Sequence, residues 1–528
     1  MKTLKPLKVI DLFAGPGGLG EGFSAYRTPE GEQAFKIALS IEKEASAHRT
    51  LLLRALFRQY PDGDAPEAYY AFLRGELGAS PEEQLYKLPE LQDALASARR
   101  EAQAIELGVT DKNQVDQKVR EALGGEDFVL IGGPPCQAYS LVGRARNTGD
   151  KSRIYDPDED HRNFLYREYL EIIAKFQPSV FVMENVKGML SAKTSEGPVF
   201  PRIREDLADP CKSSGLAPDQ GRASSTYKIL SFVVKAQGDL LGLVDDENLD
   251  ARDFVIRAEE FGIPQARHRV ILLGIRGDVS GDTVETLAPR GEKATVKNAI
   301  GDLPVLRSGI SKGPDDLEVW AKVPLQTVGK LSDYRSQLPS SVVEAMFDSS
   351  RKTDPPTSRG TEFGQRTFYE GMPERFKDWF IDPRMNGYIT NHSTRGHIIE
   401  DLARYWFASN YRAVEKKSPK ATDFPKALWP AHANFTSGKF ADRFRVQGFD
   451  SPASTVTSHI SKDGHYFIHP DPSQMRSLTV RVAARIQTFP DNYHFVGTRT
   501  EQYVQVGNAV PPLLANQLAE LILSTMDL

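Results

Sequence analysis

The chain has 528 residues, 40% hydrophobic and 26% charged, which is enough for two or three domains and is the composition of a folded protein rather than a disordered one. Two cysteines make no disulfide framework, no apolar run nears the roughly 20 residues that span a bilayer, and the start, MKTLKPLKVIDLF, lacks the apolar stretch of a signal peptide; a soluble, cytoplasmic protein with no membrane partner is expected. The net charge of −5 excludes a uniformly basic chain, yet residues 351 to 450 hold 17 Lys+Arg against 12 Asp+Glu, which mildly favours a polyanionic partner there.

Lys8–Phe13 (KVIDLF) reads as a short buried strand, followed by a Gly-rich loop, Ala14–Gly20, and a helix through Phe23 and Tyr26. Phe35–Ile41 is a second strand, ending in Glu42. Residues 50–125 are charged; Ser80-Pro81-Glu82-Glu83 predicts a capping box with proline at the first helical position, and Asn113–Leu123 a helix. A helical insertion at the sheet edge, without chemistry of its own, is the expectation. Phe128–Ile131 is the next strand and runs into GGPPCQAYS, residues 132–140. The spacing of Phe164, Leu165, Tyr169, Ile172, Ile173 and Phe176 predicts a helix over His161–Phe176, and Ser179–Met183 is a strand ending at Glu184-Asn185. Strands separated by helix-length segments predict βαβ units, hence a parallel sheet with helices on both faces.

FGIPQARHR, residues 261–269, precedes a further strand, VILLGI. From about 300 to 450 proline, glycine and polar residues are frequent and the βαβ rhythm is lost; all four tryptophans (Trp320, Trp379, Trp406, Trp429) fall in this second domain. Near the C-terminus Thr455–Ser458 and His465–Ile468 flank Lys462-Asp463-Gly464, which predicts a hairpin, and helices follow over Thr479–Gln487 and Pro511–Met526.

Three stretches carry chemistry. Gly15-Pro16-Gly17-Gly18-Leu19-Gly20 fits G-x-G-x-x-G between a strand and a helix, a loop whose backbone approaches a nucleotide closely, with Glu42 placed to bind ribose hydroxyls; the pattern alone does not separate a nicotinamide or flavin site from an S-adenosylmethionine site. Cys136 stands on a rigid corner at the carboxyl end of an apolar strand, where open α/β sheets hold ligands, and Pro134 and Pro135 fix the backbone before it, which suits a nucleophile. Glu184 ends a neighbouring strand as an acid/base or helix-capping carboxylate. Arg267 and Arg269, two residues apart, share one face of an extended segment.

In chain order DLFAGPGGLG, Glu42, GGPPCQAYS, FVMENVKGML, QARHRV, RVAARIQTFPD and QVGNAVP resemble the cytosine-C5 DNA methyltransferase family, from Asp11 to Pro511. The resemblance implies a Rossmann-like, doubly wound, mostly parallel sheet of the class I methyltransferase kind with a second, smaller, irregular target-recognition domain. The corresponding bounds are 1–300 for the catalytic domain (with the 50–125 insertion), 301–455 for the recognition domain, and 456–528 for the return to the catalytic domain. It further implies that Phe13, Gly15, Gly17, Gly18, Glu42, Pro135, Leu165, Asn508 and Val510 line an S-adenosyl-L-methionine site. Cys136 would be the nucleophile, Glu184 would meet cytosine at N3, and Arg267 and Arg269 would hold the flipped base and a neighbouring phosphate. A mobile loop from Gln137 to about Asp160 would close over DNA. No metal is implied.

The implied partner is double-stranded DNA, bound by a monomer, in the setting of a restriction–modification or related defence system with a cognate endonuclease. Arg384, Arg395, Lys439, Arg443 and Arg445 are candidate DNA contacts. Two departures stand out. Tyr139 replaces the family's usual phenylalanine. Val482 replaces a glutamate that would complete a capping box with Thr479, at a cost of about 1 kcal/mol of helix stability. The family's third block has no placed counterpart, because the insertion lies there. A dinucleotide-dependent oxidoreductase leaves PPCQ, ENV and the arginine pair unexplained; a tRNA cytosine methylase would need less recognition scaffold; a catalytically silent relative would not need Cys136 and Glu184.

Overall fold

The computed structural model describes residues 5–61, 63–135, 164–194, 197–235, 249–279, 285–351, 354–367, 370–430 and 442–526. Its centre is an eight-stranded sheet: β1 (Leu7–Leu12), β2 (Phe35–Glu42), β3 (Ala102–Ala104), β4 (Phe128–Gly132), β5 (Val180–Val186), β6 (Tyr227–Ser231), β7 (Val255–Arg257) and β8 (His268–Arg276). The order is β3-β2-β1-β4-β5-β8-β6, with β7 also pairing β8. The first five strands are parallel, and β8 runs antiparallel to β5, β6 and β7. The strand order reverses between β1 and β4, so the crevice for a ligand lies beyond the carboxyl ends of those two strands.

Alternation along the strands feeds two cores. Ile10, Leu12, Leu39, Leu130 and Phe181 face α6 (Lys112–Leu123), α7 (Phe164–Phe176) and α8 (Val199–Ala208). Val9, Ile37, Val129, Ile131 and Val182 face α1 (Gly18–Ala25) and the C-terminal helix Pro512–Thr525. Buried on both faces, these strands read as continuous apolar runs, as parallel strands do. The C-terminal helix lies so close to α1 that a Cβ on Gly22 would stand 2.4 Å from the Ala515 Cβ and from the Pro512 carbonyl oxygen.

Several expectations are corrected. Residues 50–125 are not helical throughout: α2 (Ala45–Arg58), α3 (Glu67–Leu73), α4 (Pro81–Leu85) and α5 (Gln92–Glu101) are joined by β3, which pairs with β2 as the sheet's edge. Ser80 forms no capping box; it sits at φ 52° with no side-chain cap, and proline at the first turn starts α4 instead. The fourth expected strand does not stop at Met183, because β8 pairs with β5 as far as Val186. The expected hairpin about Asp463-Gly464 is absent among the described residues. Thr455–Ser458 instead leads into a 3-10 turn, Ser458–Ser461, while Ala453–Ser454 pairs in parallel with Gln265–Ala266. Register was settled there by the tertiary partner, not by the turn residues.

The second domain has its own core of Trp320, Trp406, Tyr405, Phe407, Phe424 and Phe444, assembled around the helix Ile399–Glu415. Trp320 and Trp406 thus build this core, while Trp379 packs on the neighbouring one and donates to the Thr488 carbonyl at 2.7 Å. Thr479 caps the helix Val480–Ile486 by accepting from the Val482 amide at 3.1 Å, and Val482 is buried among apolar neighbours. The side-chain half of the capping box is thus replaced by packing. Among the described residues no helix is long and apolar enough to cross a membrane.

Candidate active site

Beyond β1 and β4 opens a cleft of about 580 Å³. Phe13, held at φ 57°, begins the loop that follows β1. The loop is tied down by the Gly15 amide donating to Glu42 Oε2 at 2.8 Å and by Ala14 N donating to the Ile41 carbonyl at 3.0 Å. The other Glu42 oxygen accepts from Glu44 N at 2.7 Å. Each oxygen keeps a lone pair for a further donor such as a hydroxyl. From the far end of the chain the Tyr493 hydroxyl donates to the Pro16 carbonyl. Below the loop Arg54 closes a buried ion pair with Glu21, its Nε at 2.8 Å from Glu21 Oε2, and lies over the rings of Phe57 and Tyr493.

The opposite end of the cleft is built by β4, β5 and β8. The register Arg269↔Val186 and Ile271↔Glu184 makes Arg269 and Glu184 diagonal neighbours on one face, and their side chains meet at 2.8 Å between Arg269 Nε and Glu184 Oε1. A Cβ on Gly133 would stand 2.9 Å from Glu184 Oε2, so the corner after β4 presses directly on that carboxylate. Asn185 holds the same corner, donating from Nδ2 to the Pro134 carbonyl at 3.2 Å while its Oδ1 accepts from Val186 N. Cys136 and the Gln137–Asp160 loop lie outside the described residues, as does Lys439. Pro135, bonded to Cys136, lines the cleft.

Of the sequence-derived residues, Phe13, Gly15, Gly18, Glu42, Pro135, Leu165, Glu184, Arg267, Arg269, Asn508 and Val510 all border this one cleft. Gly17, at φ 95°, precedes α1 just behind it. Arg267 stands apart from the others in its contacts. It is buried, donates from Nη1 to the carbonyls of Val456 at 2.9 Å and Gly507 at 3.4 Å, and has its Nε without a partner. Burial and the neighbouring Arg269 push its guanidinium well below the usual arginine range, against the pull of Glu184. It staples two segments rather than presenting itself to solvent.

Sequence reasoning missed several wall residues. Ile105 and Leu107 follow β3, where the unplaced third block would fall; Thr457, Ser458 and His459 come from the segment mistaken for a hairpin. A three-residue edge strand hid the first pair, and the misleading turn signal of Asp463-Gly464 hid the second group. Gln265 was also missed: it donates to Gln487 Oε1 at 2.8 Å and accepts from Val456 N at 2.7 Å, bridging the two ends of the catalytic domain. The candidate DNA arginines are engaged within the chain. Arg384 donates to the Gly63 carbonyl and lies over Tyr70; Arg443 pairs with Asp463 at 2.8 Å, and Arg445 with Asp442.

A family model for C-5 cytosine-specific DNA methylases matches residues 100–209 and 372–524. The type II methyltransferase M.Bpa9945I of Bacillus paralicheniformis is 33% identical over 533 residues, covering 97% of this chain and 98% of its own. The chain belongs to the C-5 cytosine-specific DNA methylases. Among other relatives of this methylase, type II methyltransferase M.AgeI of Thalassovita gelatinovora is 27% identical, with 98% of this chain and 99% of its own aligned. An E. coli crystal structure, of a prophage-encoded chain described as a DNA modification methyltransferase, shares the fold at TM-score 0.54 and 17% identity, over 99% of this chain and 100% of that one. The methylase uses S-adenosylmethionine as methyl donor. The cleft suits that group, since a carboxylate with spare acceptors (Glu42), an aromatic ring (Phe13) and exposed loop backbone meet on one side of it.

Proposed function

We propose that this methylase modifies carbon 5 of a cytosine turned out of a specific duplex DNA sequence, through a transient bond between Cys136 and carbon 6. The observation that carries this reading is the convergence of Pro135, Glu184 and Arg269 at one end of the cleft whose other end carries Phe13 and Glu42. Carbon 5 of cytosine is a weak nucleophile. Thiolate addition at carbon 6 makes the ring enamine-like and places electron density on carbon 5; once carbon 5 is methylated, a base removes its proton and β-elimination breaks the bond to carbon 6 and frees Cys136. Glu184, against the corner that carries the thiol, is placed to share a proton with N3 as charge develops on the ring. Arg269, held on Glu184, is placed to donate to the ring carbonyl. Asn185 fixes the corner and Arg267 the segments behind it. Bound S-adenosylmethionine supplies an electrophilic methyl group; Phe13, Glu42, Leu165, Asn508 and Val510 would hold it. Carbon 6 is unreachable in stacked DNA, so the base must leave the helix at a cost of a few kcal/mol, offset by contacts from the second domain. A monomer working beside a cognate endonuclease is the biological setting proposed.

The test is direct. Cys136→Ala should abolish methyl transfer to unmethylated phage DNA while calorimetry still detects S-adenosylmethionine binding; surviving transfer would remove Cys136 from the mechanism. Duplex DNA with 5-fluorocytosine at the target, located by bisulfite sequencing of the expression host, should trap a covalent adduct at Cys136 because elimination is blocked. A target site that yields no adduct counts against the covalent step.

A further inference from the structure

The cleft has a wall that the motifs do not describe: Thr457, Ser458 and His459, at the start of the 3-10 turn Ser458–Ser461. Its near side is pinned by the catalytic domain. Thr455 Oγ1 donates to the Ala266 carbonyl at 2.7 Å, Val456 N to Gln265 Oε1 at 2.7 Å, and Arg267 Nη1 to the Val456 carbonyl at 2.9 Å. The turn also lies directly on Gly507, where a Cβ would come within 2.3 Å of Ser458 N and the Thr457 carbonyl carbon. Its far side is held from the second domain. Arg395 Nη2 donates to the Ile460 carbonyl at 2.7 Å and Nη1 to the Lys462 carbonyl at 2.8 Å.

These carbonyls are at the C-terminal end of a helical turn, where oxygens lack intrahelical donors and a cation is favoured. The same guanidinium lies 4.4 Å over the ring of Tyr503. That ring is fixed in turn by its hydroxyl donating to the Leu478 carbonyl at 2.6 Å. Tyr503 belongs to the helix Arg499–Asn508, which ends at the cofactor-side residue Asn508. Arg395 itself precedes Gly396–His397, paired in parallel with Gly309–Ile310 of the second domain. One side chain therefore joins the second domain, this wall of the cleft and the helix that ends at Asn508.

We propose that Arg395 is a positioning residue that couples the second domain to the chemistry: by capping the Ser458–Ser461 turn it sets where Ser458 and His459 stand against Glu184 and Arg269. DNA held by the second domain is thereby linked to the placement of this wall. This rests on the proposed function, and it replaces the expectation that Arg395 contacts DNA.

The experiment uses the full chain and tritiated methyl transfer to unmethylated phage DNA, with calorimetry for S-adenosylmethionine. Wild-type enzyme that fails to methylate DNA would overturn the proposed function itself; the inference about Arg395 is read only against an active wild type. Arg395→Met should lower kcat about ten- to a hundredfold, the scale of a misplaced reacting group. KM for DNA and the cofactor Kd should stay within about threefold. Arg395→Lys, which keeps the charge but cannot cap two carbonyls and stack at once, should fall between Met and wild type. A loss confined to the KM for DNA would make Arg395 a phosphate contact and overturn the proposal, as would an unchanged kcat. Should Arg395→Met fail to fold, Arg395→Lys decides alone: reduced kcat at unchanged KM supports positioning, and wild-type kcat overturns it.

Discussion

Asp11, at the floor of the cleft, has both carboxyl oxygens buried without a well-formed hydrogen bond. Burial pushes its carboxyl up from 3.8 to about 7, against the pull of Arg58 and of the Gly20 amide. A folded-state pKa above the unfolded one means that folding takes up a proton between those values. The stability this gives is full below the unfolded value and is lost as pH rises through the folded one. A rise from 3.8 to about 7 corresponds to roughly 4 kcal/mol. Asp11→Asn should therefore raise the melting temperature more at pH 8 than at pH 5; a gap that does not grow with pH would show that the carboxyl is not the titrating group. At the same scale the sequence was informative for residues at the carboxyl ends of strands, such as Glu42 and Pro135, which border the cleft. It was silent on Arg267's partners, because the carbonyls of Val456 and Gly507 lie about 190 and 240 positions away in the chain.

Between elements, the contact of α1 with the C-terminal helix is the sharpest constraint. Gly22→Ala should force the two helices apart at a cost of about 1–3 kcal/mol, seen as a lower urea midpoint. Cofactor affinity should fall with it, because Gly18, at the start of α1, is packed on Val510: a Cβ there would stand 2.3 Å from the Val510 carbonyl oxygen. A midpoint equal to wild type would mean that the helices can separate freely. The parallel strands were legible as apolar runs bounded by glycine and proline. The edge strand β3 was not, since three residues, Ala102–Ala104, carry no period and take their conformation from pairing with Ser40–Glu42. The false hairpin failed for the same reason. Asp463-Gly464 has turn chemistry, but the Asp463 side chain caps the His465 amide at 3.0 Å and no strand flanks it.

Across the whole molecule, helices α2–α5 form a strut under the second domain. The Tyr70 hydroxyl donates to Asp382 Oδ2 at 2.9 Å, Met385 is buried in the strut's core, and Arg384 spans to Gly63. The stretch expected to lack chemistry thus lines the cleft at Ile105 and Leu107 and is tied by α2–α5 to Asp382–Met385. Tyr70→Phe with Arg384→Ala should raise the KM for DNA severalfold while leaving S-adenosylmethionine binding unchanged; a shift in cofactor binding instead would assign the strut to the cofactor side. The second domain was recognisable as a break in rhythm, but its internal layout was not, because its order comes from a tryptophan and phenylalanine core rather than from repeated units.

The cofactor loop near the N-terminus is completed by Tyr493 and Val510, and its helix by the C-terminal one. At ribosomal rates of about 5–20 residues per second, the 477 positions between Pro16 and Tyr493 take roughly half a minute to a minute and a half to make. Until Tyr493 and the helix Pro512–Thr525 leave the ribosome, a nascent chain has neither a finished donor site nor a closed sheet face. Products terminated before Tyr493 should be inert on DNA rather than partly active.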